Sequence, residues 1–278
     1  MILQNYHTHT LFCDGKQAPI EYLKRAAELN FSALGFSAHA EVPFDNEWSI
    51  KPNKTIDYVN AINGLKNNSY QIEVLLGLET DFIPNLTTQF SVLKEKYQLD
   101  YIIGSVHLVQ KHNNEDLWFI DGPFEGYDNG LNKLFGGDIK EGVKAFFNQT
   151  NEMIVSQNFD IIGHLDKIKM NNKNRFFSED DSWFRNFLNE TLHLIKEKGI
   201  IVEVNTRGVY KGKSKTLFPD VWTIKQCKEM KIPIVVNSDA HHPDDLMGFF
   251  NETEILLKEI GIFEVMKYYN SGWNLIKL

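Results

Sequence analysis

The chain has 278 residues, 42% of them hydrophobic and 24% charged, a balance that excludes a disordered, collagen-like or coiled-coil protein. This length allows two domains of ~150 residues or one (β/α) barrel of roughly 250. Twenty-nine Lys and Arg against 37 Asp and Glu leave a net charge of -8, the wrong sign for non-specific retention on nucleic acid or anionic lipid, so an anionic substrate must meet a local group of cations.

Cys13 and Cys227 are too few for a disulfide framework or a four-thiolate zinc site and suit a reducing cytoplasm. The first residues carry no basic leader, and no run of ~18 apolar residues occurs, which predicts a soluble cytoplasmic protein.

In chain order, short β-branched or apolar runs predict strands at residues 2–6, 33–36, 72–78, 101–104, 160–162, 201–204 and 234–236. Amphipathic stretches follow them. Residues 19–29 place Ile20, Leu23 and Ala27 at helical spacing before Asn30, and residues 179–198 place Phe184, Leu188, Leu192 and Ile195 on one stripe. Alternating strands and helices predict a parallel sheet, and the absence of linkers, repeats and shifts in composition predicts one domain over residues 1–278. The exception is 112–137, dense in Gly, Asn and Asp and carrying Trp118, Phe119, Phe124 and Tyr127. It reads as a long loop that encloses substrate.

Ionisable residues gather where these strands end. His7 and His9 follow the first, His39 the second, Glu79 ends the third, His107 follows the fourth, His164 closes the fifth, Glu203 and Asn205 the sixth, and Asp239 and His241 the seventh. Parallel strands all end on one face, so these side chains converge. On an extended backbone residues two apart share a face, which lets His7 and His9 reach one ion while Thr8 turns away. Six of the nine histidines fall at such ends; His112, His193 and His242 do not and are left outside the site. With Glu79, Asp239 and Asp14 the donors outnumber the four to six positions of one ion, so two or three divalent ions are expected. Mixed imidazole and carboxylate sets suit Zn, Fe or Mn better than Mg. Adjacent divalent ions activate water and neutralise charge on attacking and leaving oxygens, which favours hydrolysis of phosphate esters.

The stretches Tyr6-His7-Thr8-His9-Thr10 with Phe12, Asp14 and Gly15, Ser37-Ala38-His39, Gly77-Leu78-Glu79, Gly104-Ser105-Val106-His107, Gly163-His164-Leu165-Asp166, Glu203-Val204-Asn205-Thr206 and Ser238-Asp239-Ala240-His241 resemble the polymerase and histidinol phosphatase (PHP) superfamily. Within it the likeness is to the monofunctional histidinol-phosphate phosphatase branch, which Trp118-Phe119-Ile120-Asp121-Gly122 also resembles. The resemblance implies a distorted, TIM-like (β/α)7 barrel and three metal positions. One would be held by His7, His9, Glu79 and Asp239, a second by Glu79, His107 and His164, and a third by Asp14, His39 and His241. Glu79, Asp239 and His241 would carry catalytic duty, while the donor of the leaving-group proton stays open.

The family's Asn-Thr-x-Gly segment followed by a basic residue reads here Asn205-Thr206-Arg207-Gly208-Val209-Tyr210-Lys211. That points to Arg207, then Lys211, as phosphate ligands, with Asn205 beside them. Arg175 resembles a second substrate-binding arginine. The implied activity is hydrolysis of L-histidinol phosphate, a small phosphate monoester, in histidine biosynthesis. Alternatives are a broader phosphoesterase acting on nucleotides or phosphotyrosine, and a non-catalytic metal-binding module. A nucleic-acid or membrane partner is not expected, and oligomeric state stays open.

Overall fold

The computed structural model describes residues 1–111 and 116–278; His112 lies outside the described residues. The strands are β1 (Gln4–Asn5), β2 (Ala33–Phe36), β3 (Glu73–Asp81), β4 (Tyr101–Ser105), β5 (Leu108–Gln110), β6 (Leu117–Phe119), β7 (Ile161–Ile162), β8 (Ile201–Asn205), β9 (Ile234–Asn237), β10 (Glu264–Tyr269) and β11 (Gly272–Lys277). The helices are α1 (Pro19–Glu28), α2 (Thr55–Leu65), α3 (Phe90–Tyr97), α4 (Phe124–Phe135), α5 (Ile139–Ser156), α6 (Lys169–Asn172), α7 (Ser182–Lys198), α8 (Arg207–Tyr210), α9 (Val221–Met230) and α10 (Phe250–Glu259).

Seven strands form one parallel sheet in the order β1-β2-β3-β4-β7-β8-β9. It closes just beyond its edges. Thr8 bridges Ala240 in parallel, with the His9 N–H donating to Ala240 O at 2.8 Å and the Ala240 N–H to His7 O at 2.9 Å. Closure removes the exposed edges an open sheet would present and gives the expected distorted (β/α)7 barrel. With helices outside and side chains inside, every residue of β2, β4, β8 and β9 is buried.

Tyr6, Leu75, Tyr101, Ile103, Ile161, Ile201 and Val235 fill the barrel as a cluster of their own, distinct from the larger core outside it. The Tyr101 hydroxyl donates to Tyr6 O and to Phe36 O. A Cβ at Gly77 would lie 2.5 Å from the Tyr101 ring, so glycine there makes room for it. The antiparallel hairpin β10-β11 seals the end where the strands begin. Trp273 packs edge-on to Tyr6 at 4.9 Å, and its Nε1–H donates to Asp160 just before β7 at 3.3 Å. The other end, where the strands finish, is left to the polar residues.

The long loop expected over 112–137 is corrected by the structure. β6 pairs antiparallel with β5, and α4 follows directly. Trp118 is fully buried, donates through Nε1 to Tyr127 O at 2.8 Å and packs on Tyr127 and Phe135. It belongs to the core, while Phe119 and Asp121 of the same segment line the cavity at the strand ends. The buried face of α4, Tyr127, Leu131, Leu134 and Phe135, has helical spacing, but the interleaved Gly126, Asn129, Gly130 and Asn132 give it the composition of a loop. Gly130 is there for packing, because a Cβ would stand 2.4 Å from Trp118 Cδ1. Among the described residues no helix is long and apolar enough to cross a membrane.

Candidate active site

The strand C-termini bring all nine expected donor residues to one mouth, with Glu79 at the centre. It lies two residues before the end of the long strand β3, is 1% exposed, and has a carboxylate oxygen within 3.5 Å of a ring nitrogen of five histidines. The separations are 3.0 Å to His7, 3.3 Å to His9, 3.2 Å to His39, 3.5 Å to His107 and 2.8 Å to His164. Asp239 stands 3.4 Å from His9 and 3.9 Å from His7, and Asp14 stands 3.1 Å from His241. Donor atoms lie within 4.8 Å of one another in four overlapping sets. These are His9, Asp14, His39 and His241; His7, His164 and Asp239; His7, His9 and Glu79; and His39, Glu79 and His107. The partition differs in detail from the one the resemblance implied, since His9 also joins the Asp14 group and Asp239 also sits with His164.

Carboxylates behind the rings fix their orientation. His7 Nδ1 is 2.6 Å from Glu203 Oε1, so it carries the proton and donates, which leaves Nε2 turned toward Glu79 and Asp239. Asp81 does the same for His107, accepting from Nδ1 at 3.0 Å and from its backbone N–H at 2.9 Å. Sequence reasoning missed Asp81, although it lies two residues beyond Glu79 on one strand and therefore faces the same side. His164 and Asp239 sit at positive φ, 24° and 51°, a strained backbone of the kind that clusters where side-chain aim matters.

The donor set fits divalent metal ions. His7 Nε2, His9 Nε2, His39 Nδ1 and Asp14 Oδ1 are buried without a hydrogen-bond partner among the described residues. Leaving several buried polar atoms unsatisfied is costly unless a ligand completes them. Burial opposes charge on every ring. At His7 the carboxylates of Glu203, Glu79 and Asp239 outweigh it and push the imidazole up to about 10, and at His107 Asp81 and Asp121 push it up to about 9. Burial and the neighbouring His9 lower His39 to about 4 and His241 to about 3, so these two offer neutral nitrogens.

The cavity over this cluster is walled by Trp48, Phe119, Asp121, Lys167, Asn205 and Arg207, among others. Arg207, on the first turn after β8, donates from Nη1 to Asp239 O at 2.6 Å, and Asn205 Nδ2 donates to Asp239 Oδ2 at 3.3 Å. Two expectations are corrected. Arg175 is absent from the cavity wall: both its terminal nitrogens donate to Asp128 at 2.7 Å, and its guanidinium stacks on Phe124 at 4.0 Å. Lys211 points elsewhere too, pairing with Asp245 at 2.8 Å. The buried cation that does reach the cavity, Lys167, pairs with Asp121 at 2.9 Å, and nothing in the sequence pattern singled it out.

A family model described as "PHP domain" matches residues 5–207, a span holding seven of the nine donor residues. The chain belongs to the PHP domain family. Over an alignment of 258 residues the chain is 24% identical to the histidinol-phosphatase of Bacillus subtilis, covering 86% of this chain and 94% of that one. The crystal structure of the hisK protein of Listeria monocytogenes shares the fold at a TM-score of 0.76 and 21% identity, covering 89% of this chain and 99% of that one. A Lactococcus lactis histidinol phosphate phosphatase, solved with zinc, L-histidinol and phosphate, shares it at 0.66 and 17%, over 98% of each chain.

Proposed function

We propose that this PHP domain is a metal-dependent phosphatase that hydrolyses L-histidinol phosphate to L-histidinol and phosphate in histidine biosynthesis. The observation that carries the reading is the convergence of six histidines and three carboxylates, with buried unpartnered nitrogens among them, on a cavity that also holds Arg207 and Lys167. The relatives' activity agrees with it. His7, His9, Asp14, His39, Glu79, His107, His164, Asp239 and His241 would hold two or three divalent ions. When bound, such ions activate water and neutralise charge at the attacking and leaving oxygens.

The protein's own residues supply the rest. Glu203 and Asp81 hold the Nδ1–H of His7 and His107, which would leave the Nε2 lone pairs for bound ions. Arg207 and Asn205 sit where a phosphoryl group would enter, and the fixed guanidinium meets charge that spreads in the transition state without reorganising. Trp48 and Phe119, 6.1 Å apart, wall the cavity with apolar surface suited to an imidazole.

Phosphate release from histidinol phosphate and from 4-nitrophenyl phosphate, with metal counted on the same sample, tests the reading. The expected result is a kcat/KM at least about 100-fold higher for histidinol phosphate, a preference within reach of a few site contacts. Comparable values would indicate a broad phosphoesterase. No release from metal-loaded protein would indicate a non-catalytic module.

A further inference from the structure

Lys167 ends the turn His164-Leu165-Asp166-Lys167 beyond β7, and its side chain is only 11% exposed. Burying an ammonium is costly, and proteins replace such pairs with apolar residues at little loss when the charge has no task. This one is placed with care. Nζ lies 2.9 Å from Asp121 Oδ2 and 3.3 Å from His107 Nε2, the ring nitrogen left facing the cavity once Nδ1 is given to Asp81. The ammonium therefore stands at the rim of the donor cluster. It has three N–H bonds, of which Asp121 accepts one; His107 Nε2, kept for an ion, is a close neighbour but not an acceptor, so at least one N–H is without a partner among the described residues.

The charge balance of the wall gives that N–H a purpose. Asp14, Glu79, Asp121 and Asp239 all line the cavity, and a phosphate monoester adds further negative charge. Arg207 has committed Nη1 to the Asp239 carbonyl, while Arg175 and Lys211 are paired with carboxylates elsewhere. Lys213 also lines the cavity but from an exposed position, so Lys167 is the buried cation left to meet the anion beside Arg207. Residues 120–122, which carry Asp121, are anchored in turn by Asn171 Nδ2, which donates to Ile120 O and Gly122 O at 3.1 Å.

We propose that Lys167 binds the substrate's phosphate directly, with Asp121 as the positioning residue that holds the ammonium at the rim. This rests on the phosphatase reading and adds to it a phosphate ligand drawn from the turn after β7. A cation acting on the phosphoryl oxygens takes no part in choosing the alcohol, so its loss affects every phosphate monoester alike.

The test is calorimetric titration of metal-loaded protein with inorganic phosphate, comparing wild type, Lys167→Met, Lys167→Arg, Asp121→Asn and the Asp121→Asn/Lys167→Met double variant. Lys167→Met is expected to weaken phosphate binding at least about 10-fold, with bound metal and melting temperature unchanged. Its kcat/KM should fall by the same factor for histidinol phosphate and for an aryl phosphate. Lys167→Arg should stay within about 3-fold of wild type. Asp121→Asn should weaken binding, yet add nothing to Lys167→Met, because it acts through the ammonium. Unchanged phosphate affinity in Lys167→Met overturns the proposal, as does an additive double variant. Should Lys167→Met shed metal, Lys167→Arg decides: retained metal and phosphate binding support the proposal, and loss of metal there too overturns it. Binding is read without turnover. A wild type that binds phosphate through Lys167 but releases none from any ester would leave this inference standing and overturn the phosphatase reading.

Discussion

Glu203 is fully buried and accepts from the His7 ring, the His164 backbone, Asn205 and Asn237 at 2.6 to 3.0 Å. Glu203→Gln keeps the shape but removes the charge that holds the His7 Nδ1 proton. Metal affinity, measured by competition with a chelator, should drop about 10- to 100-fold; an unchanged affinity would mean His7 is oriented without it. Arg207→Ala should lower kcat/KM at least about 30-fold, the equivalent of about 2 kcal/mol for a desolvated guanidinium–phosphate contact. Metal content should be unchanged and Arg207→Lys only a partial rescue. Normal kinetics in the alanine variant would assign Arg207 to the fold, where its bond to the Asp239 carbonyl already gives it a role.

The same residues set a pH dependence. His7 and His107, raised from 6.5 to about 10 and about 9, hold protons in the folded metal-free chain that the unfolded chain has released above about 6.5. A raised folded value stabilises fully below the unfolded one and loses that contribution as pH climbs through the folded one. Metal-free protein should therefore lose melting temperature between pH 7 and 9.5. Metal-loaded protein, where ions stand in for those protons, should change much less, and loading at pH 7 should release protons. Calorimetry on both forms checks this, and parallel pH curves would contradict it.

At the scale of elements, the two ends of the barrel divide the work: one is sealed by aromatic packing, the other carries the chemistry. Trp273→Ala should cost about 3–5 kcal/mol of stability by opening the cluster beneath Tyr6 and Tyr101. Metal content per folded molecule should be preserved, as read by denaturant unfolding alongside elemental analysis. Loss of metal at full stability would reverse that division. Most barrel strands were legible because both faces are buried, which writes short apolar runs such as Ile102-Ile103, Ile161-Ile162 and Val235-Val236, while β1, Gln4–Asn5, is polar and was legible only through the flanking Ile2, Leu3 and Tyr6. The hairpins were not: β5 and β6 are three residues each, and β11 mixes the half-buried Trp273 with Asn274 and the exposed Lys277. Of the glycines and asparagines that hid α4, Gly130 is the one that lets Trp118 pack against it. The metal donors could be read from sequence because strand direction alone puts them on one face. Cations could not, since whether a basic loop residue faces the cavity depends on distant partners: Asp128 withdraws Arg175 across 47 positions of chain, and Asp121 fixes Lys167.

For the whole molecule, a net charge of -8 and a phosphate ester substrate are compatible because Arg207 and Lys167 stand inside the mouth, where the local field decides binding. The central claim is that the nine convergent side chains form a multi-ion centre on which hydrolysis depends. Its most direct test is to strip the protein with chelator, return Zn or Mn stepwise, and measure bound metal and phosphate release from histidinol phosphate together. The expected result is no turnover in stripped protein and full turnover only as two to three ions per chain are bound. Full activity with one ion or none would contradict it.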